Sequence, residues 1–508
     1  MITITVNNVS CKIVGQIDEK HVSSLDKMMS YDHPGYLFMT GSRGGYGAGG
    51  RFGGWDGRVR LLNNAGEFPV GLLPIAEEYL KENGIQYTVV DARPKLKYGK
   101  AVKMISEKFE PRKYQKDVVR QSKQAGSGII KVPTGGGKGY IISSLVAEYN
   151  IPTIVYVIGI ELLYQMKETI ESAYGIPCGV VGGGECDTSK KVTVMTIWSA
   201  AAAFNQKAKL LDSDTTSGES KKQTAKLNKA EVRKRVQEAQ LFIFDECQYA
   251  ASETLQFLHR ESKSAKHRFL LSGTPWRDTG DDILIEAVSG PRICDISASK
   301  LIAQEYLVPP KIFFLDVPVK RDVGKTYHDV YKNYIVENEE RNELIIKSAR
   351  KLISQGKKVL VLVVRVSHGE VLLEELQKEL RVSFLDGTKN SKTRLQSIQD
   401  MKDGKIDVLI ASKIFDQGID IPELDALILA GSGKSSGRAL QRIGRVIRKF
   451  KGKERAIVVE FFDNCKYLRD HSEARIKVYE SEPLFEIVRQ ENIAIKSYPK
   501  RAPINWSK

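Results

Sequence analysis

The chain has 508 residues, of which 42% are hydrophobic and 28% are charged. This composition excludes a wholly disordered protein, and the length allows about three or four domains. The 78 Lys and Arg residues outnumber the 62 Asp and Glu residues, which gives a formal net charge of +16. This excess favours a polyanionic partner such as nucleic acid over charge that serves solubility alone.

The longest apolar stretches, such as Val359–Val364, are far shorter than the ~20 residues that cross a membrane. The N-terminus lacks the basic and apolar regions of a signal peptide. The 6 cysteines are spread along the chain without a C-x-x-C pair, which predicts free thiols rather than a zinc site or disulfides. We therefore expect a cytoplasmic protein with no membrane partner.

Residues 1–100 are predicted to form a small α+β domain. Short strands alternate with loops, and a helix is expected near Leu73–Asn83. A Gly-rich loop leads to Trp55, and an Asp-Gly turn then precedes alternating apolar and basic residues that include Arg58 and Arg60. Trp55 is interpreted either as the core anchor of a small sheet or, with these arginines, as part of a nucleic-acid contact.

Two series of short apolar runs follow, separated by helical segments, which is typical of strands buried on both faces of a parallel sheet. The first series comprises Gly128–Val132, Thr153–Ile158, Val192–Thr196, Leu241–Phe244 and Arg268–Leu271. The second comprises Val359–Val364, Val382–Leu385, Val408–Ala411, Ala426–Leu429 and Ala456–Phe461. The fold class is therefore predicted to be α/β, with two tandem parallel-sheet domains after the N-terminal α+β domain.

The first α/β domain is placed at residues 101–300 and the second at 301–465. A C-terminal helical tail is expected over 466–508. The first domain contains an insertion at 205–240 with a polar middle and a basic, helical end. The insertion is interpreted as a solvated surface segment or, alternatively, as a basic arm that touches a nucleic-acid backbone.

The segment Pro133–Lys138 lies between a predicted strand and a predicted helix. Its glycines, Gly135, Gly136 and Gly137, allow the backbone to wrap a phosphate, with N–H groups and the helix N-terminus facing the negative charge. Lys138 follows directly and can reach the β- and γ-phosphates. Glycine-rich turns also occur for steric reasons, but this arrangement predicts a nucleotide-binding P-loop.

One residue departs from the P-loop pattern. Ser or Thr usually follows the lysine and helps to hold Mg²⁺, whereas Gly139 stands here and Tyr140 follows it. We therefore expect the metal to be held through carboxylates and water, or by another hydroxyl. Weakened hydrolysis is one consequence to test.

Two carboxylates, Asp245 and Glu246, follow the apolar run Leu241–Phe244. The carboxyl ends of parallel strands border the crevice where α/β folds bind ligands. The sequence predicts that Asp245 holds Mg²⁺ and that Glu246 orients or deprotonates the attacking water. A helix N-cap is the alternative interpretation, but the position after a P-loop favours the catalytic one.

The order of these motifs resembles that of superfamily 2 helicases. Arg112–Gln115 is similar to the adenine-reading Q-type motif, Asp245–Gln248 to the DExQ/H-type motif II and Ser272–Pro275 to motif III. Ile158–Gln165 keeps the Leu and Gln of motif Ia but lacks its usual Pro-Thr, and Val194–Ser199 resembles motif Ic.

The second series continues this resemblance. Val359–Val364 fits motif IV, while Ala411–Ser412 and Asp416–Pro422 resemble motif V. The octamer Gln441–Arg448 is a close match to motif VI. The resemblance covers residues 110–465 and implies two RecA-like domains, with ATP and Mg²⁺ as cofactors.

The resemblance also implies roles for the residues that match its motifs. Those implied in catalysis are Lys138, Asp245, Glu246, Gln248 and the arginine fingers Arg445 and Arg448. Those implied in nucleotide binding, besides Lys138, are Arg112, Gln115, Pro133, Thr134, Gly135, Gly136, Gly137, Gly139, Gly418, Asp420 and Gln441. Nucleic-acid contacts are expected from Trp55, Arg58, Arg60, Thr196 and Ser412.

A narrower resemblance connects Gly53–Leu62 and Phe68–Pro74 with the N-terminal domain of the phage UvsW-type recombination helicases. The segment Asp470–Ile487 is similar to the C-terminal helices of that group. The resemblance implies ATP-dependent remodelling of branched DNA, namely Holliday junctions, forks and R-loops. It further implies the cytoplasm of a phage-infected bacterium. The protein is expected to be a monomer, with recombination or replication proteins as partners.

Two alternatives remain open from the sequence. The chain could be the translocase component of a restriction or nuclease complex, because motor motifs do not exclude that role. It could also be a nucleotide-gated nucleic-acid clamp with weak hydrolysis, which Gly139 favours.

Overall fold

The computed structural model describes residues 2–33, 56–107, 109–206, 227–275, 280–318, 324–389, 391–412, 421–431, 433 and 436–490. The chain forms two compact units. The first combines Met1–Val132 with Gly137–Asp295, and the second combines Pro133–Gly136 with Ile296–Lys508. No helix within the described ranges is long and apolar enough to cross a membrane.

The first unit begins with a small α+β region. Its elements are β1 (Ile2–Val6), β2 (Ser10–Val14), α1 (Glu19–Met28), β3 (Ser30–Asp32), β4 (Arg58–Arg60), β5 (Glu67–Pro69), α2 (Leu73–Glu82) and β6 (Tyr87–Asp91). Four strands form a sheet in the order β5-β2-β1-β6, and β3 pairs with β4 in a separate antiparallel hairpin. Alternate residues of β1 are buried, as expected for a strand with one face on a core. The predicted α+β region and its helix are confirmed.

The larger part of the first unit is a helix-covered, mostly parallel sheet, which is called the first sheet below. Its elements are α3 (Lys113–Ala125), β7 (Gly128–Lys131), α4 (Lys138–Tyr149), β8 (Thr153–Val157), α5 (Ile160–Tyr174), β9 (Cys178–Gly182), β10 (Glu185–Cys186), β11 (Val192–Thr196), α6 (Ile197–Ala203), α7 (Lys229–Glu238), β12 (Leu241–Asp245), α8 (Glu253–Glu261), β13 (His267–Ser272), α9 (Ile283–Ser289) and β14 (Arg292–Asp295). The strand order is β10-β9-β11-β8-β12-β13-β7-β14, and all neighbouring strands are parallel except the pair β10 and β9.

The five strands predicted for this sheet are all present. Strands β9, β10 and β14 were not predicted, and β10 has only two residues, Glu185–Cys186. The sequence of β9, Cys-Gly-Val-Val-Gly, has only two adjacent apolar β-formers between glycines. The edge strand β14 exposes two of its four residues and therefore contains no continuous apolar run.

The insertion at 205–240 ends in the predicted basic helix, α7. Val232 and Val236 on this helix are completely buried in the core of the first sheet. Arg235 donates to the Thr193 hydroxyl at 3.0 Å and to the Thr153 carbonyl at 3.1 Å. One face of α7 is therefore part of the folded unit. Residues 207–226 of the insertion lie outside the described residues.

The second unit contains a second parallel sheet. Its elements are α10 (Ala298–Ala303), β15 (Pro310–Val317), α11 (Tyr327–Val330), a π-helix (Tyr331–Val336), α12 (Glu339–Ser354), β16 (Val359–Leu362), α13 (Val366–Leu376), β17 (Val382–Leu385), α14 (Ser391–Lys402), β18 (Val408–Ala411), β19 (Ala426–Leu429), α15 (Ser436–Val446), β20 (Ala456–Asp463), α16 (Leu468–Glu480) and β21 (Glu486–Gln490). The strand order is β17-β18-β16-β19-β20-β15-β21, with all strands parallel. The α/β fold class with two tandem parallel sheets is confirmed.

The end of the chain differs from the expected helical tail. Helix α16 is followed by β21, a strand that pairs in parallel with β15 at the edge of the second sheet. Glu486 is a strand residue because its segment completes this edge, and its carboxylate forms ion pairs with Lys311 and Arg455 at 2.6 Å each. The prediction of helix up to Glu486 and Ile487 was wrong, and residues 491–508 lie outside the described residues.

Candidate functional site

The Gly-rich turn connects β7 to α4 at the carboxyl edge of the first sheet. Gly135 and Gly137 have φ values of 82° and 77°, a left-handed conformation that glycine adopts without strain. Helix α4 begins at Lys138 directly after the turn. The backbone N–H groups of the first helical turn have no partners within the helix, so this end of α4 can receive an anion. The turn has the local structure that a phosphate site requires.

Gln115 lies against this turn. It is 4% exposed, and its side-chain oxygen accepts a hydrogen bond from the Arg112 N–H at 3.0 Å. A Cβ atom placed on Gly137 would lie only 2.5 Å from the Gln115 amide nitrogen. Gly137 is therefore needed both for its backbone conformation and for this close approach. The structure brings the predicted Q-type motif and the P-loop together.

Asp245 ends strand β12 and is almost completely buried. Burial raises the pKa of Asp245 above its ordinary value, and the nearby Lys138 ammonium opposes this rise while Glu246 adds to it. The negative charge of this buried carboxylate is only partly balanced by the Lys138 ammonium. Such a carboxylate is a favourable ligand for a hard cation, which prefers oxygen atoms. The site therefore fits Mg²⁺ held by Asp245. Because Gly139 supplies no side-chain oxygen, water would provide the remaining ligands.

Hydrogen bonds connect the residues after β12 with those after β13. Gln248 donates to a Glu246 carboxylate oxygen at 2.8 Å, and the Ser272 hydroxyl donates to the Gln248 side-chain oxygen at 2.7 Å. The Ser272 hydroxyl in turn accepts the Thr274 N–H at 3.1 Å. Glu246 has a φ of 72°, a strained value for a residue other than glycine. These bonds fix the orientation of the Glu246 carboxylate and couple motif II to motif III.

Phe109, an exposed aromatic residue beside the P-loop helix, was not predicted from the sequence. Its side chain is 41% exposed, and its ring stacks on that of Tyr140 with centroids 6.5 Å apart and planes 29° apart. Tyr140 follows Gly139 in the first turn of α4. An exposed ring in this position offers a surface for a planar base. An aromatic residue six positions before Gln115 was the available signal.

Motif VI lies on α15 and the segment after it. Gln441 and Arg445 are half-buried on this helix, and Arg448 follows the helix end. Arg448 pairs with Leu307 in an isolated antiparallel bridge. Burial lowers the pKa of Arg448 to about 10, so the guanidinium stays charged at neutral pH. Pro133, Thr134, Gly135 and Gly136 belong to the same compact unit as these arginines.

Thr196 and Ser412 both follow buried strands. Thr196 is completely buried, and its hydroxyl caps α6 by accepting the Ser199 N–H at 3.2 Å. Ser412 is 6% exposed, and its N–H donates to the Leu385 carbonyl at 3.0 Å. Both residues therefore have structural roles at the carboxyl edges of their sheets. Gly418, Asp420 and Trp55, predicted to bind nucleotide or nucleic acid, lie outside the described residues.

Arg58 and Arg60 lie on β4 of the N-terminal hairpin, beside three carboxylates. Arg60 forms ion pairs with Asp26 at 2.8 Å and with Asp56. Arg58 lies 3.4 Å from an Asp32 oxygen. Both guanidinium groups are thus engaged within the protein, which reduces the net positive charge that this hairpin offers to a nucleic acid.

Comparison with known proteins finds two family models that match parts of this chain. The sequence model of the family "Type III restriction enzyme, res subunit" matches residues 108–277, and that of "Helicase conserved C-terminal domain" matches residues 341–450. These ranges contain the P-loop with motif II and the motif VI helix, respectively.

Relatives extend the similarity beyond these two ranges. The chain is 27% identical over 417 residues to the DNA 3'-5' translocase XPB2 of Sulfurisphaera tokodaii, which covers 75% of this chain and 86% of the relative. It is 23% identical over 522 residues to the ATP-dependent DNA helicase uvsW of Enterobacteria phage T4, covering 94% of this chain and 97% of the relative. The solved structure of S. cerevisiae Dbp5 bound to RNA and ADP BeF3 is 16% identical, with a TM-score of 0.51, over 75% of this chain and 90% of that chain.

The fold, the motif residues and the matched families define the chain as a superfamily 2 helicase. It is an ATP-dependent enzyme with two RecA-like domains. Within this class it resembles the UvsW-type helicases, and this resemblance includes the N-terminal α+β region as well as the motor.

Proposed function

We propose that the protein is a DNA motor that remodels branched DNA, namely Holliday junctions, forks and R-loops. The observation that carries the proposal is the connected site of Lys138, Asp245, Glu246 and Gln248 in a chain that resembles UvsW over 94% of its length. The similarity to uvsW includes the N-terminal region, which lies outside the two matched family models, and we infer that this region contacts the branched part of the substrate.

In the proposed mechanism the P-loop binds the triphosphate of ATP. Lys138 and the N-terminal N–H groups of α4 neutralise the phosphate charge, and Gln115 and Phe109 contact the base. Asp245 would hold Mg²⁺, which when bound neutralises the charge that develops on the phosphates. The two-residue link through Gln248 to Ser272 keeps the Glu246 carboxylate in place.

Glu246 orients the attacking water and accepts its proton, since it is the carboxylate that follows Asp245 and is not needed as the metal ligand. Arg445 and Arg448 stabilise the negative charge on the γ-phosphate as it is transferred, a contribution of roughly 10³–10⁵ in rate for such arginines. We propose that this cycle of ATP binding and hydrolysis drives the movement of the protein along DNA.

The carboxyl edge of the second sheet is proposed to carry one DNA strand. Arg365 follows β16, and its guanidinium lies 4.8 Å from the Tyr331 ring centre and 3.2 Å from His328 Nδ1. Thr388 follows β17, and Ser412 follows β18. Contacts of these groups with phosphates carry no base information, so sequence preference should be slight. We propose a monomer that acts in the cytoplasm of a phage-infected cell, with recombination or replication proteins as partners.

The alternative role in a restriction complex is not favoured. The family name "Type III restriction enzyme, res subunit" belongs to a match with residues 108–277 only. Two relatives that are matched over three quarters or more of this chain are a translocase and a helicase. A gel of junction and linear duplex with ATP and Mg²⁺ separates strand exchange from cutting.

DNA-stimulated ATP hydrolysis by the purified chain tests the proposal. We expect Lys138→Ala to lower this rate at least a hundredfold, roughly the loss of one strong charge contact to the transferred phosphoryl group. Lys123→Ala, which removes an exposed lysine paired with Glu148, serves as the control. An unchanged rate for Lys138→Ala would show that the site assignment is wrong.

Unwinding of a matched substrate set tests the branched-DNA part. A four-way junction, a fork, an R-loop and plain duplexes with either overhang are compared at equal ATP and salt. We expect the branched substrates to be processed faster than the plain duplexes. Equal rates on all substrates would leave a general helicase and contradict branch selectivity.

A further inference from the structure

The segment between β6 and α3 follows the amino edge of the first sheet. This connector has no helix or strand over residues 93–106. It contacts the first residue of β13, residues at and just after the end of α4, which precedes β8, and a residue at the end of α5, which precedes β9. The contacts are Tyr98 Oη with His267 Nε2 (2.8 Å), Gly99 N–H with the Asn150 carbonyl (3.3 Å), Val102 N–H with the Ala147 carbonyl (3.0 Å) and Ile105 N–H with the Ala173 carbonyl (3.0 Å).

The connector is thus on the opposite edge of the sheet from the nucleotide turn. Lys138 follows the carboxyl end of β7, and Asp245 ends β12. His267 begins β13, and Asn150 lies three residues before the first residue of β8. Since these strands are parallel, the two edges are separated by the length of the strands. The connector therefore takes no part in binding the phosphates of the nucleotide.

This connector has an unusual charge. Residues 92–103 contain four lysines and one arginine and no acidic residue. Arg93 is paired with Asp91 at 2.8 Å. The four lysines form what we call the lysine strip. Its members, all exposed, are Lys95, Lys97, Lys100 and Lys103. None of them makes an ion pair with any residue that the structure describes.

The residues between these lysines hold the strip in place. Val102 and Met104 pack against Ala147, Ala173 and Tyr174. A Cβ atom on Gly99 would lie 2.6 Å from the Asn150 side-chain nitrogen, so the backbone runs directly on the sheet edge. The charges are therefore presented on a fixed path, and a ligand that binds them does not pay for ordering a loose loop.

A further lysine adjoins the strip. Asn150 donates to the Lys100 carbonyl at 2.7 Å and accepts a hydrogen bond from Lys191 at 2.7 Å. Lys191 is exposed and directly precedes the first residue of β11. From Lys95 to Lys103 an extended backbone spans at most about 26 Å. This distance matches about seven or eight base steps of one duplex strand, at roughly 3.4 Å per step.

We propose that the lysine strip binds the phosphate backbone of a second duplex arm of a branched DNA substrate. These lysines form a linear array on a fixed edge and have no ion-pair partner among the described residues, which suits a regularly spaced polyanion better than a compact acidic peptide. The proposal rests on the proposed function and deepens it, because the motor grips one arm while the strip holds another. Binding here requires no base contact and is independent of sequence.

The test replaces all four lysines, as Lys95→Gln, Lys97→Gln, Lys100→Gln and Lys103→Gln together. Affinity for a labelled four-way junction is measured at several salt concentrations, and ATP hydrolysis is measured with oligothymidine. We expect the junction affinity at low salt to fall roughly tenfold or more. The slope of log affinity against log salt should become shallower by about 3 to 4, at ~0.9 for each lost phosphate contact. Hydrolysis stimulated by oligothymidine should be unchanged.

A control variant removes the same charge elsewhere. It combines Lys347→Gln, Lys351→Gln, Lys378→Gln and Lys405→Gln on the second unit, where Lys347, Lys378 and Lys405 are paired with acids. The control should keep the wild-type salt slope. An equal loss of junction affinity in both variants would show a mere net-charge effect and overturn the proposal.

Lysine acetylation footprinting provides a measurement without mutation. The junction should protect the strip from acetylation, whereas oligothymidine should leave it reactive. Unchanged reactivity with a bound junction would overturn the strip's role and would leave the motor proposal intact, because hydrolysis reports on that separately. Absence of DNA-stimulated hydrolysis in the wild-type chain would instead refute the motor. Protection by an acidic polypeptide but not by the junction would reject DNA as the ligand.

Discussion

The two edges of the first sheet are held together by different kinds of contact. At the carboxyl edge, Glu246, Gln248 and Ser272 are connected side chain to side chain, and each lies in a short motif at the end of a strand. At the amino edge, Arg268 joins segments that are distant in the chain, for it donates to the carbonyl of Asn8 at 2.9 Å. The carboxyl edge holds the proposed catalytic residues, whereas the amino edge connects the N-terminal region to the parallel sheet.

Arg268 shows how the amino edge is stabilised. It is 1% exposed, and besides Asn8 it donates to the Ser262 carbonyl at 2.8 Å and lies 3.0 Å from His259 Nδ1. Its partners among the described residues include no carboxylate, and burial lowers its pKa to about 9. The guanidinium is thus balanced by carbonyl dipoles. The N-terminal region also packs closely on α9 at Gly71, where a Cβ atom would overlap the Glu286 carbonyl oxygen.

The largest effect is expected at the carboxyl edge. Glu246→Gln removes the proposed base but keeps the hydrogen-bonding shape, so ATP hydrolysis should fall about 10²- to 10⁴-fold while nucleotide binding is retained. Steady-state hydrolysis and binding of a fluorescent nucleotide analogue measure the two quantities. Glu168→Gln, which alters an exposed carboxylate on α5, should leave both unchanged. A variant that retains full turnover would assign the base to another residue.

The amino edge should respond in stability rather than in chemistry. Arg268→Met leaves the carbonyls of Asn8 and Ser262 without their donor, which should cost about 3 kcal/mol of unfolding free energy. Urea unfolding measures this cost, and limited proteolysis should show faster cleavage between the N-terminal region and α3. Arg260→Met, at an exposed position on the neighbouring helix, is the matched control. Equal stability of the two variants would show that Arg268 does not fasten this edge.

Acidification should lower the stability of the protein through His259, which lies beside Arg268 at the amino edge. Burial, with the adjacent Arg268 charge as the next cause, lowers the pKa of His259 well below its ordinary value of 6.5. The unfolded chain therefore binds more protons than the folded chain below about pH 6.5, so stability falls as the pH falls. The expected loss is about 1.4 kcal/mol for each pH unit below that value.

Thermal unfolding between pH 7.5 and pH 5.5, roughly one unit on either side of that pKa, measures this dependence. His259→Gln should flatten it, because glutamine can still accept the Arg268 hydrogen bond and does not titrate. His328→Gln in the second unit serves as the control. If the His259 variant kept the wild-type slope, another group would be responsible for the acid sensitivity.

The difference between the edges also explains what sequence reasoning could predict. Parallel strands end at a common edge, so motifs that follow successive strands, such as those containing Lys138 and Asp245, could be placed together from the sequence. The bond from Arg268 to Asn8 joins residues 260 positions apart and has no sequence pattern. Strand β21 was missed for the same reason, because Glu486–Gln490 is extended only through its pairing with β15.

The smallest effect is expected at the one departure from the P-loop pattern. A Cβ atom on Gly139 would lie 3.6 Å from the Thr169 methyl carbon, an ordinary contact, so Gly139→Ser should fold without strain. Because the buried carboxylate of Asp245 already provides an oxygen ligand, the added hydroxyl should raise ATP turnover by less than about tenfold, equivalent to ~1.4 kcal/mol. Gly139→Ala, which adds the Cβ without the hydroxyl, is the control for helix propensity. ATP turnover of the wild type and the two variants is measured at increasing Mg²⁺ concentration. A nearly inactive wild type that serine alone revives would make this chain a nucleotide-gated clamp. Robust wild-type turnover would show that the carboxyl edge is complete without a hydroxyl at this position.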